Sequence, residues 1–261
     1  MTYVDISVEQ RGAVSWVYFD RPAVMNEMRT RTLRELGQVF SDLAGRESVR
    51  VVVLSGRGRA FCAGADLKSA DGQVGDTKSV QEFLREAELM ERALADVGKP
   101  VIAAINGVCC GGGLEVALAC DFIVAAKSAK IGSAHIKAGV IPCGGATARL
   151  TRLIGENAAK YLLFTGILLT AEESLRTGLI QCISADDALE IDVQSIADSI
   201  AENSPLGIRH MKTLLSNATD MSLEEAIRAE RSAAAAYGAS YDAQEGKRAF
   251  VERRKSEYRG C

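Results

Sequence analysis

The sequence predicts an α/β fold that gives way to helices in its last third, on three observations. Short runs rich in Val and Ile alternate with segments of helical apolar spacing, the strand-like runs thin out after about residue 158, and glycine-containing turns follow two of the runs. The runs at residues 13–19, 50–55, 101–105 and 121–125 read as strands, bounded by Gly, Pro or Asp. Residues 30–43 place Leu33, Leu36, Val39, Phe40 and Leu43 on one helical face, and residues 80–94 do the same with Phe83, Leu84, Ala87 and Met90. Residues 189–203, 206–216 and 223–237 read as amphipathic or alanine-rich helices. Lacking a sheet to cover, their surplus apolar surface predicts packing against another subunit.

Composition narrows the function. With 261 residues, 48% hydrophobic and 25% charged, the chain has the make-up of an ordinary globular protein able to bury a sizeable core. A net charge of -3 supplies no surplus of cations for a nucleic acid. The first twelve residues lack the basic and apolar runs of a secretory signal, and residues 101–114 fall short of the roughly 20 apolar residues of a membrane span. Seven cysteines without ligand-like spacing, two of them adjacent at Cys109 and Cys110, read as reduced thiols, so the expected location is cytoplasmic.

Several chemistries fall away. Two histidines, His135 and His210, are too few for a multi-histidine metal site, and no metal is expected. Gly56 and Gly58 follow a strand, but Phe61 stands where a dinucleotide fingerprint needs its third glycine. No Walker lysine and no G-x-S-x-G elbow occur. Two turns remain, FCAGADL at 61–67 and CGGGLE at 110–115. Glycines at a helix start let an oxyanion approach main-chain N–H groups that have no partner within the helix, although the same glycines also serve tight strand-to-helix packing. Glu115 follows the second cluster inside an apolar segment. It reads equally as a proton-transfer carboxylate and as an acid favoured by the helix dipole.

Arg21-Pro22 with Asn26, FCAGADLK at 61–68, KPVIAAINGVCCGGGLEVALACD at 99–121, GVIPCGGATARLTRLIG at 139–155 and EGKRAFVERRK at 245–255 together resemble the enoyl-CoA hydratase/isomerase, or crotonase, family. The resemblance runs nearly end to end. It implies a crotonase-like spiral of repeated β-β-α units over residues 1–200 and a helical region over 201–261 that forms trimers, often paired into hexamers. It implies that the N–H groups of Ala65 and Gly112 form an oxyanion hole for the thioester oxygen. Ala63, Asp66, Leu67 and Lys68 then line the pantetheine path, Val24 lies near the adenine, and Phe250 and Arg253 touch the coenzyme A of a neighbouring subunit.

Glu115 matches the first family glutamate, and His135 stands where the hydratases carry a second. The implied activity is hydration of a 2-enoyl-CoA in fatty acid metabolism, with Glu115 activating water and His135 delivering a proton. Because His135 replaces that glutamate, a specialised acyl-CoA hydrolase, decarboxylase or isomerase is the alternative, and a non-catalytic acyl-CoA-binding subunit is a third reading. Coenzyme A enters only as part of the substrate, with no permanently bound cofactor and no nucleic-acid or membrane partner. Cys143, near the same loop, is expected to pack, with facing the pocket as the alternative, and His210 is expected to be structural.

Overall fold

The computed structural model describes residues 3–67 and 77–261. Strands β1 (Ile6–Arg11) and β2 (Val14–Phe19) form a hairpin over Gly12 and lead to helix α1 (Thr30–Ala44). Three further turns follow the same plan: β3 (Val51–Gly56), β4 (Ala60–Cys62) and α2 (Thr77–Ala95); β5 (Val101–Ile105), β6 (Val108–Cys110) and α3 (Gly112–Ala119); then β7 (Phe122–Ala126) and β8 (Lys130–Gly132) before α4 (Ala146–Ile154) and α5 (Glu156–Thr165). Two short strands, β9 (Leu168–Thr170) and β10 (Cys182–Ser184), flank α6 (Ala171–Arg176). Helices α7 (Leu189–Ala201), α8 (Pro205–Ala218), α9 (Leu223–Gly238) and α10 (Tyr241–Glu252) complete the chain.

In each of the three later turns the first strand joins one sheet and the second joins another. The larger sheet has the order β1-β2-β3-β5-β7-β10 and is parallel apart from the β1/β2 hairpin. The smaller has the order β4-β6-β8-β9, with only β8/β9 antiparallel. This is the repeated β-β-α spiral expected from the sequence.

The larger sheet is buried on both faces, which explains why its strands read as apolar runs rather than alternating ones. Val17, Phe19, Val52 and Leu54 face a core with Leu33, Leu36 and Phe40 of α1 and Met90 and Leu94 of α2. Trp16, Tyr18, Val51 and Val53 point the other way, onto Leu189, Val193 and Ala197 of α7.

A buried polar network ties the segment between β2 and α1 to the loop after β4. Asn26, left-handed at φ 59°, accepts from the Arg21 amide at 2.9 Å and donates to the carbonyls of Arg57 and Ala60 at 3.0 and 2.7 Å. Arg21 reaches Asp66 at 3.0 Å, while Arg29 and Thr32 donate to the buried Asp5. Burial pushes the Asp5 carboxyl up, but the bonds from Arg29 and Thr32 and the charges of Arg29 and Arg21 outweigh it and hold the group below its ordinary value. Asn26→Ala would orphan buried backbone groups and remove the side chain best suited to positive φ. The expected loss is about 2–4 kcal/mol of unfolding free energy by urea denaturation. A loss below about 0.5 kcal/mol, typical of a surface change, would contradict this role.

Candidate active site

The two glycine turns meet at the start of α3. Gly111, at φ 57°, caps the helix and donates to the Ser133 carbonyl at 2.7 Å. Gly112 is therefore the first helical residue, and its N–H has no acceptor among the described residues. Across from it, Met28 forms a parallel bridge with Ala65. Met28 donates to the Gly64 carbonyl at 2.7 Å and accepts from the Asp66 amide at 2.8 Å, leaving the Ala65 N–H between them without an acceptor among the described residues. The two amides are neighbours: a Cβ built on Gly112 would stand 3.9 Å from the Ala65 nitrogen. Gly113 lets α3 press on β4, since a Cβ there would come within 2.2 Å of the Cys62 carbonyl.

Both amides border a cavity of about 400 Å³. Phe83, Leu84, Ala87 and Met90 of α2, with Val116, Val140 and Ile141, give it mainly apolar walls. Glu115, 4% exposed, projects from the first turn of α3 into this space. Its Oε1 accepts from the Gly144 amide at 2.6 Å and the Ala146 amide at 3.2 Å. Ala146 is the first residue of α4, so the helix's free N–H groups and dipole favour negative charge there.

The other oxygen of Glu115, Oε2, lies 3.3 Å from Nε2 of His135, which is 8% exposed. His135 opens a 3-10 turn, His135–Ala138, entered through a left-handed Ala134 at φ 54°. Its Nδ1 lies 2.8 Å from the buried Ser133 Oγ. When the hydroxyl donates to Nδ1, the neutral ring carries its hydrogen on Nε2, toward Glu115. Two amides with no acceptor among the described residues, a buried carboxylate and an imidazole thus share one mainly apolar cavity.

The family model described as enoyl-CoA hydratase/isomerase matches residues 9–260. The chain belongs to the enoyl-CoA hydratase/isomerase family. It is 35% identical to a probable enoyl-CoA hydratase of Rhizobium meliloti and 33% identical to a crotonyl-CoA hydratase of Syntrophomonas wolfei, covering 99% of each chain in both alignments. The crystal structure of an enoyl-CoA hydratase from Bacillus anthracis superposes with a TM-score of 0.94 at 35% identity, over 99% of this chain and all of the other.

Within this hydratase/isomerase fold, Ala63, Ala65, Asp66, Leu67, Gly112, Glu115 and His135 all border the cavity. Asp66 is turned to Arg21, and Leu67 is exposed. Val24, in the 3-10 turn Pro22–Val24, and Phe250 and Arg253, at the end of α10, are exposed and lie outside the cavity lining. Lys68 falls outside the described residues. His210 packs edge-on against Tyr237, joining α8 to α9.

One expectation is corrected. Cys143 is not a packing residue: it is exposed and borders the cavity, because the segment that brings Gly144 to Glu115 carries the preceding side chain along. Two residues were missed, Ser133 and Glu91. Ser133 lies two positions before His135, a spacing with no distinctive pattern, whereas Glu91 continues the helical stripe of Leu84 and Ala87 and was findable by spacing.

Although its surface is open to solvent, the cavity wall partly shields the Cys143 thiol; that partial burial, then the charges of Glu115 and Glu91, push it above its ordinary range. Alkylation of Cys143 should accordingly rise mainly above the pH of about 8.5 typical of a free thiol. Glu115→Gln removes one of the two charges and should move that profile to lower pH, followed by mass spectrometry of the labelled peptide. An unmoved profile would show that the thiol does not sense the carboxylate.

Proposed function

We propose that this protein adds water to the double bond of a 2-enoyl-CoA thioester, with Ala65 and Gly112 as oxyanion donors and Glu115 and His135 as the proton-transfer pair. The observation that carries the reading is the meeting of two amides that have no acceptor among the described residues with a buried carboxylate in one mainly apolar cavity. The hydratases among its full-length relatives support it.

Attack of water at the β carbon moves negative charge onto the thioester oxygen. Donors already aimed at that oxygen need no reorganisation, and losing one such donor typically costs about 2.7–4 kcal/mol. The Glu115 carboxylate takes a proton from water as its oxygen bonds to the β carbon, giving the enolate. His135, as imidazolium, delivers its Nε2 proton to the α carbon, and the enolate collapses to the 3-hydroxyacyl thioester. The proton held by Glu115 then crosses to Nε2, restoring both groups. Ser133 steadies the ring through this cycle, since its hydroxyl oxygen accepts from Nδ1–H both in the imidazolium and in the neutral ring left when Nε2 gives up its proton. The mainly apolar walls keep stray water from the enolate.

Ala63, Asp66, Leu67 and Lys68 serve the pantetheine path in this reading, and Val24 the adenine. The helical region joins copies into a trimer or a dimer of trimers, so that Phe250 and Arg253 meet a neighbour's coenzyme A. The exposure of Phe250 (86%) and Val251 (80%) on α10 supports such contacts. Free, unpaired cysteines support a reducing cytoplasmic setting, and the substrate class suits lipid metabolism.

Hydration of crotonyl-CoA, followed as loss of the conjugated thioester's ultraviolet absorbance, tests the reading. Wild type should turn over, and Glu115→Gln should lower kcat by roughly two to four orders of magnitude. Equal rates in the two proteins would overturn the role of Glu115. Tight coenzyme A thioester binding with no water added would favour a binding subunit, and products other than the 3-hydroxyacyl thioester a specialised reaction.

A further inference from the structure

Glu91 lies near the carboxyl end of α2, four residues after Ala87, and so shares the face that lines the cavity. Its side chain is 25% exposed. Oε2 sits 3.4 Å from a terminal nitrogen of Arg149, whose other terminal nitrogen donates to the Gly144 carbonyl at 2.6 Å. Oε1 has no hydrogen-bond partner among the described residues. That oxygen is 2.9 Å from where a Cβ would stand on Gly144, and Glu115 Cβ and Cδ are 3.0 and 3.1 Å from the same point. The two carboxylates therefore face one another across a residue with no side chain. Arg149 fixes Glu91 and the Gly144 loop together.

We infer that Glu91 is a specificity residue, selecting acyl groups that carry a hydrogen-bond donor, such as a hydroxyl, on the carbon following the double bond. The inference rests on the hydration reading. With the thioester oxygen on the Ala65 and Gly112 amides and the β carbon at Glu115, the next carbon meets the wall where only Gly144 separates Glu115 from Glu91.

An open cavity lets water satisfy Oε1. A bound substrate displaces that water, and an alkyl group there returns nothing to the carboxylate, whereas a hydroxyl restores the bond. Sites built to bond a buried hydroxyl discriminate by several orders of magnitude. Glu91 keeps some solvent contact, so the expected preference is smaller, on the order of tenfold.

The discriminating pair is 4-hydroxy-2-butenoyl-CoA and 2-pentenoyl-CoA, which exchange a hydroxyl for a methyl at the same place. In wild type, kcat/KM should favour the hydroxy substrate by about tenfold or more. Glu91→Leu should bring the ratio to one or reverse it, while Glu91→Gln, whose amide oxygen still accepts, should keep part of the preference. If Glu91 served only to hold Arg149 and the loop, both substrates would change by the same factor. A wild-type ratio at or below one, or a ratio unaltered in Glu91→Leu, overturns the inference. Calorimetric Kd values for the saturated isosteres 4-hydroxybutanoyl-CoA and pentanoyl-CoA read the same preference without turnover, so failure of hydration and failure of the inference are separable.

Discussion

Peptide N–H groups in a folded chain are mostly spent on acceptors within the protein, yet those of Ala65 and Gly112, partly buried at the cavity wall, have none among the described residues. Much of the surrounding architecture holds that arrangement in place. Gly64 and Asp66, on either side of Ala65, are bonded to Met28, which fixes the plane of the free amide. Asn26, Arg21 and Asp5 anchor that segment to the body of the first sheet. Gly111 is turned to Ser133, so the helix offers Gly112 as its first donor. Donors held in place for an oxygen gain more from an anionic one than from a neutral one, which is the condition for binding a transition state more tightly than a ground state.

Glu115 and His135, proposed as the proton-transfer pair, obey a related constraint. Buried charge needs partners, and Glu115 has two backbone donors on one oxygen and His135 beside the other. The start of α4 fixes one carboxylate oxygen through backbone donors and leaves the other turned to His135. His135 is tied in turn to Ser133, itself next to the carbonyl that receives Gly111. One short stretch, Ser133 to His135, thereby orients both the start of α3 and the imidazole.

The long elements were legible in the sequence because their patterns are long. The expected strand at 101–105 coincides with β5, the helix at 30–43 differs from α1 by one residue, and the helix at 80–94 falls inside the longer α2. The smaller sheet was not legible, since β4, β6, β8 and β9 have three residues each, too few to display a period. Strand β1, ISVEQR, was missed because most of its residues are polar and only partly buried. In the site, the glycine turns and Glu115 stood out as local departures from their surroundings. Ser133 did not, and although spacing puts Glu91 on the cavity-lining stripe, its meeting with Gly144 from more than fifty residues away arises only from contacts between segments. His135 was identified only by the resemblance, and its tie to Glu115 required the fold.

A crystal structure of the Glu115→Gln variant with crotonyl-CoA tests the central claim most directly. The account predicts the thioester oxygen within about 2.7–3.1 Å of both the Ala65 and Gly112 nitrogens, with the double bond beside residue 115. A thioester oxygen bound elsewhere, with the two amides facing water, would contradict it.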